Sequence, residues 1–225
     1  MKYLFDTASL DLIKKYANNL PIYGITTNPS ILKKEGSFDF FNHFQEIKNI
    51  IGDSKTLHIQ VTTDTCDEMI QEANAICDKL GKKTYIKIPV TLEGLKAISQ
   101  LKKDDYNITA TAIYSKTQGL LAMESGADYI APYYNRMHNL DIDSNKTILT
   151  FANVISNYNY KTKILAASFK NIHQVNCAIE CGAHEVTLSP DILLEAFKMP
   201  SINKAIIDFR KDWVSIFGDT SIDKI

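Results

Sequence analysis

The feature that most constrains this chain is an alternation, sustained from end to end, of short β-rich runs with longer stretches of helical spacing. The β-rich runs are Lys2 to Thr7, Tyr23 to Asn28, Thr56 to Thr62, Thr84 to Pro89, Tyr106 to Ile113, Tyr129 to Tyr134, Lys161 to Ser168 and His184 to Ser189. Each is followed by an amphipathic stretch. Leu10, Ile13, Tyr16 and Ala17 share a helical face after the first run, and Met69, Ile70, Ala73, Ile76 and Cys77 do so after the third. Strands joined only by helical crossovers must pair in parallel, and eight such units predict closure into an α/β fold of the TIM (β/α)8 barrel type. An open doubly wound sheet is the alternative. Against it, the first run leads into Phe-Asp-Thr-Ala-Ser and not into GxGxxG, and no GxxxxGK[ST] occurs, so neither common nucleotide-binding loop is present.

Beyond the eighth run, helix-like sequence from Asp191 to Lys198 precedes Pro200 and a last amphipathic run from Ile202 to Phe217. An additional C-terminal helix, about residues 201–218, therefore lies outside the eightfold count. Its Ile206, Phe209, Trp213 and Phe217 form an apolar stripe that needs cover, from its own barrel or from a neighbouring subunit. A chain of 225 residues that is 45% hydrophobic, with no linker or low-complexity tract, suits a single domain over residues 1–225.

With 25 basic and 26 acidic residues mixed along the chain, no strong field is available to gather nucleic acid or anionic lipid. Small soluble partners are expected. The N-terminus lacks the apolar core of a signal peptide and no apolar run is long enough to span a bilayer, so a cytoplasmic protein is expected. Cys66, Cys77, Cys177 and Cys181 form no CxxC and are expected to be free thiols against the core. His43, His58, His138, His173 and His184 are scattered without HxxxH, HExxH or a carboxylate at ligand spacing, so no metal is expected. GxSxG is absent too.

In a barrel of this kind the chemistry sits at the carboxyl ends of the strands. Those ends carry Asp6 on the first run, Thr26, Thr27 and Asn28 on the second, Gln60 and Thr62 on the third, Lys87 on the fourth and Thr111 on the fifth. The sixth leads into Tyr133, Asn135 and Arg136, and the seventh ends in Ser168 before Lys170. Acid, amide, hydroxyl, amine and guanidinium groups aimed at one mouth suit a polyhydroxylated, anionic ligand. In Tyr-Ile-Lys-Ile-Pro, alternation places Tyr85, Lys87 and Pro89 on one face and Ile86 and Ile88 on the other. If the isoleucines meet the helices, Lys87 points into the barrel. Burial lowers the pKa of such an amine, and a free amine can attack a ketone.

Blander readings stand beside these. Lys87 could pair with a carboxylate such as Asp6, Asp6 could cap the first helix, and Thr26 to Ser30 could be only a loop with a proline opening a helix. Arg136 and Lys170 could be solvated surface charges.

The chain resembles the fructose-6-phosphate aldolase subgroup of the transaldolase family over nearly its whole length. The resemblance is carried by FDT at 5 to 7, GITTNPSIL at 24 to 32, IQV at 59 to 61, IKIPVTLEGLKAI at 86 to 98, TAIY and QGLL within 111 to 121, GADYIAPYYNR at 126 to 136 and ILAASFK at 164 to 170. It implies a TIM barrel and a Schiff-base lysine at Lys87 with Asp6 beside it. It also implies substrate contacts from Thr26, Asn28 and Ser168, phosphate binding by Arg136 with help from Lys170, and no cofactor. A homo-oligomer, pentameric or decameric, with the C-terminal helix reaching a neighbour, is a further implication. Gln60 and Tyr133 look like the aldolase version of positions that are typically glutamate and phenylalanine in transaldolases. A tyrosine hydroxyl with Gln60 and Thr111 can hold one water and move a proton at a substrate hydroxyl. Tyr134 is expected to face outward.

The implied reaction is cleavage or formation of fructose 6-phosphate from dihydroxyacetone and glyceraldehyde 3-phosphate. The alternative is transaldolase transfer of the dihydroxyacetone unit between sugar phosphates, sedoheptulose 7-phosphate and erythrose 4-phosphate, in the pentose phosphate pathway. A barrel that binds phosphosugars without turnover is the remaining class.

Overall fold

The structure is a computed structural model that describes residues 1–225. The eight runs of β-branched and aromatic residues become strands: β1 Lys2–Asp6, β2 Ile22–Thr26, β3 Thr56–Gln60, β4 Tyr85–Pro89, β5 Asn107–Ile113, β6 Tyr129–Pro132, β7 Lys163–Ala166 and β8 Glu185–Leu188. All pairings between neighbours are parallel, and β1 pairs with both β2 and β8, which closes the barrel. The open-sheet alternative is thereby excluded.

The crossovers are helical, with α1 Leu10–Tyr16 after β1, α2 Pro29–Leu32 and α3 Phe40–Ile51 after β2, α4 Cys66–Leu80 after β3 and α5 Leu92–Leu101 after β4. They continue with α6 Lys116–Glu124 after β5, α7 Tyr134–His138 and α8 Ser144–Tyr158 after β6, and α9 Ile172–Glu180 after β7. Then α10 Pro190–Glu195 and α11 Pro200–Phe217 follow β8. No helix is long and apolar enough to cross a membrane.

Alternation along the strands divides the core in two. Outward-facing Phe5, Ile25, Ile59, Ile86, Ile88, Ile108, Ile130 and Val186 pack with the apolar stripes of the helices in one cluster. Inside the barrel, a small cluster of Leu4, Tyr129 and Leu165, with Tyr23 and Tyr85 against it, fills the amino end. Each strand thus presents its next inward residue toward the carboxyl end. Helix starts gather there as well: Ser9, Asn28, Thr65, Thr91, Ser115 and Asn171 cap α1, α2, α4, α5, α6 and α9 through side-chain oxygens that accept backbone N–H bonds. Close seating of α5 behind β4 needs Gly94, where a Cβ would lie 1.9 Å from Pro89 O.

The C-terminal helix is present, two residues longer at its start than the apolar run suggested, but its stripe is not covered by its own barrel. No residue of α11 is buried, and Phe209 is 71% exposed. Within the stripe, Trp213 donates from Nε1 to Thr220 O (2.6 Å) and its ring lies tilted against Phe217, with centroids 4.5 Å apart. Of the thiols, all free, Cys66 and Cys77 are buried, whereas Cys177 and Cys181 are only partly so.

Candidate active site

Alternation on β4 carries Lys87 into the barrel, where it is 4% exposed, while Ile86 and Ile88 are fully buried against the helices. Its Nζ donates to Thr27 O at 2.7 Å and forms no ion pair with any carboxylate within 4 Å. Pairing with Asp6 is therefore not what holds it. Burial pushes the Lys87 amine below its ordinary value, and the negative charge of Asp6 pulls the other way. A lysine so placed reaches its nucleophilic neutral form at a lower pH than a surface lysine does.

Asp6 does not cap the first helix; Ser9 does. Freed from that duty, Asp6 Oδ1 accepts from Thr26 Oγ1 (2.7 Å), which also bonds Thr187 Oγ1 (2.7 Å). Asn28 is both a cap and a cavity residue: its Oδ1 accepts from Ile31 N (3.1 Å), with Pro29 opening α2, so its amide N–H groups remain available as donors. Asp6, Asn28, Lys87, Tyr133, Arg136, Ser168 and Lys170 all line one cavity of ≈ 500 Å³ at the carboxyl end of the barrel. Ser168 enters it from left-handed backbone (φ 63°), a strained conformation for a non-glycine residue, and its carbonyl is tied to Asn135 N (2.8 Å).

Thr111 Oγ1 and Tyr133 Oη share a hydrogen bond of 3.0 Å. Burial raises the Tyr133 pKa, while the Thr111 bond and the Arg136 charge oppose the rise. No direct hydrogen bond joins Gln60 to that pair. Gln60 lines a smaller cavity with Phe40, Phe41, Thr62 and Glu72, and its Oε1 is buried without a hydrogen-bond partner. Tyr134 turns away from the cavity, as expected, yet is buried: its hydroxyl donates to Asn145 Oδ1 (2.6 Å) and its ring packs near Phe169. No group of three or more His, Cys, Asp or Glu side chains is placed to hold a metal.

A buried amine, acids, hydroxyl groups and rim cations around one cavity are suited to covalent chemistry on a phosphorylated carbonyl compound. The family model for transaldolase/fructose-6-phosphate aldolase matches residues 3–220. The chain belongs to this family. A Streptococcus pneumoniae protein named "probable fructose-6-phosphate aldolase" is 50% identical over 222 residues, covering 99% of this chain and all of the relative. A Brachyspira hyodysenteriae protein named "probable transaldolase" is 36% identical over 97% of this chain, and another so named from Lachnoclostridium phytofermentans is 34% identical over the same share. The chain is an enzyme of the aldolase/transaldolase type.

Several cavity or near-cavity residues escape the sequence reading, among them Glu35, Asp191, Thr187, Lys34 and Tyr114. Thr187 lines the cavity and bonds Thr26; alternation along β8 from Glu185 was the available signal. Lys34, in the turn after α2, adds a further cation to the lining, and no sequence period marks it. Tyr114 accepts from Arg136 Nη1 at 3.0 Å. Its direction was not legible because Ala112 adopts φ 56° and the β5–β6 register shifts between Ala110 and Ile113, which breaks alternation before Tyr114.

Proposed function

We propose that this chain is a class I aldolase that forms and cleaves fructose 6-phosphate, with Lys87 as the covalent residue. The observation that carries the reading is Lys87 itself, buried, unpaired with any carboxylate and facing a cavity lined by hydroxyl, amide and cationic groups. Neutral Lys87 attacks the C2 ketone, and loss of water gives an iminium. As the C4 hydroxyl loses its proton, the C3–C4 bond breaks, its electrons enter the iminium, and glyceraldehyde 3-phosphate leaves. The enamine is then protonated at C3, and water hydrolyses the imine to release dihydroxyacetone and Lys87. The iminium is the electron sink, so the reaction as written needs no metal or cofactor.

Tyr133, with Thr111, handles the C4 proton in this scheme, and Gln60 orients water, its unpartnered Oε1 being an acceptor of the right kind. Asp6 orients Lys87 and a substrate hydroxyl, and Thr26 fixes Asp6. Asn28 and Ser168 bind substrate hydroxyls, and Arg136 and Lys170 take the phosphate. The second reading, transfer of the dihydroxyacetone unit to erythrose 4-phosphate, is favoured by the relatives named transaldolase. It shares every step up to the enamine. Measuring glyceraldehyde 3-phosphate release with and without erythrose 4-phosphate separates the two: release without acceptor is expected, and strict dependence on the acceptor overturns aldolase in favour of transfer.

The same proposal treats residues 1–225 as one domain acting in the cytoplasm on small sugar phosphates, with no nucleic-acid or membrane partner. The uncovered apolar face of α11 supports a homo-oligomer, pentameric or decameric as the family resemblance implies, in which this helix docks on a neighbouring copy.

A further inference from the structure

Arg136 is held between two tyrosines. Its Nη1 donates to Tyr114 Oη at 3.0 Å, and the centre of its guanidinium lies 4.7 Å from the centroid of the Tyr133 ring. The two rings meet edge to face at 5.6 Å, which completes a three-membered clamp. Its parts come from different loops: Tyr114 follows β5, whereas Tyr133 and Arg136 follow β6. Tyr133 and Arg136 line the cavity, but Tyr114 does not, so the Tyr114 hydroxyl reaches a ligand only through Arg136, while its ring touches Tyr133.

An arginine left free samples many rotamers and must be ordered when an anion arrives; one already fixed avoids that loss. We propose that Tyr114 is a positioning residue that makes the enzyme select phosphorylated aldehydes. By holding Arg136 over the Tyr133 ring, it presents the guanidinium fork to an anionic group on the end of the aldehyde remote from the carbonyl. This rests on the reading of Arg136 as a phosphate ligand. Selectivity then appears in the binding of the phosphorylated aldehyde and not in the chemistry at Lys87, because Tyr114 contacts neither the amine nor the reacting carbonyl.

The test is aldol addition of dihydroxyacetone to glyceraldehyde 3-phosphate and, separately, to glyceraldehyde, with the intact protein and with Tyr114→Phe, Arg136→Ala and the double variant. Tyr114→Phe keeps the ring and its edge contact while removing the oxygen. It is expected to raise KM for glyceraldehyde 3-phosphate about tenfold, the lower end for one hydrogen bond to a charged group, with kcat and both parameters for glyceraldehyde unchanged. With Arg136 already truncated, the same change is expected to have no further effect on either aldehyde. Equal effects on both aldehydes, or an undiminished effect in the Arg136→Ala background, would overturn the proposal. If the intact protein adds both aldehydes without preferring the phosphorylated one, the reading of Arg136 fails first and this inference falls with it. Borohydride trapping of Lys87 in Tyr114→Phe with dihydroxyacetone, which carries no phosphate, is independent of both and is expected to be unchanged.

Discussion

At the carboxyl end of the barrel, Lys87, Asp6, Tyr133 and Arg136 face a cavity of ≈ 500 Å³; at the amino end, His58, Tyr85, Tyr129 and Glu185 face one another. His58 bonds Thr109 Oγ1 through Nδ1 (2.8 Å) and Thr56 Oγ1 through Nε2 (3.0 Å), and it stacks on Tyr85 with ring centroids 4.5 Å apart. Tyr129 donates to Glu185 Oε1 (3.0 Å). Both ends place ionisable groups inside the barrel, so burial of polar groups does not by itself mark a site. The difference is what the groups are turned towards. At the amino end they pack ring to ring and bond each other or neighbouring threonines, with Glu185 Oε2 alone left unpartnered, whereas at the mouth the amine of Lys87 has a single backbone partner and open space beside it.

Electrostatics follow the same division. Burial, helped by the charge on Lys87, pushes His58 well below its ordinary value, and burial pushes Glu185 up against the opposing Tyr129 bond and Lys163. Tyr85 is pushed up to about 12. Every one of these shifts favours the neutral form, which is how a closed polar layer is kept stable. Lys87 is shifted towards neutrality too, but there the neutral form is also the reactive one.

If the two ends differ as argued, substitutions should separate into those that remove activity and those that alter stability. The largest expected effect is Lys87→Met, which should lower turnover by about four orders of magnitude or more, the scale of deleting a covalent nucleophile, while the protein stays folded by circular dichroism. Next, Tyr133→Phe should lower kcat for cleavage by about 10²-fold, the lower range for a lost proton-transfer group, and leave the thermal midpoint nearly unchanged. Persistence of full kcat would break the assignment of Tyr133.

The smallest effects are expected at the amino end, in stability only. Glu185 has a folded pKa raised above its unfolded value near 4.5, so its favourable contribution is present at low pH and is lost as pH rises through the folded pKa. Glu185→Gln should therefore gain in stability relative to the parent as pH rises above 4.5, with kcat unchanged. His58 has the opposite sign: its folded pKa is depressed below 6.5, so stability should fall as pH drops below that value. His58→Phe should flatten that acid limb in urea titrations. A loss of kcat comparable to that of Tyr133→Phe from Glu185→Gln would erase the distinction between the ends.

The eight strands were legible because apolar alternation and β-branched runs are local signals. The runs overshoot the paired strands, and the overshoot is informative: Asn28 leaves β2 to cap α2, Tyr133 leaves β6 to precede α7, and Ser168 leaves β7 in left-handed backbone. Asn28 and Ser168 leave the ladder there, while Tyr133 keeps only an isolated bridge to Ala167. Asp6, Asn28, Lys87, Tyr133, Arg136, Ser168 and Lys170 were likewise legible as lining one cavity, since each sits at a strand end. Other relations were not. The second cavity that Gln60 lines, the bond between Thr26 and Thr187, and the pairing of Tyr129 with Glu185 depend on register across strands distant in sequence. Nor does an amphipathic period say what covers it, and α11 shows that its own barrel does not.

The central claim is that Lys87 forms a Schiff base. Reducing the protein with borohydride in the presence of fructose 6-phosphate or dihydroxyacetone, then mapping the adduct by peptide mass spectrometry, tests it most directly. The account predicts one adduct, on Lys87, with inactivation in proportion to labelling. Turnover that survives borohydride without an adduct, or an adduct on another lysine that tracks the loss of activity, would contradict it.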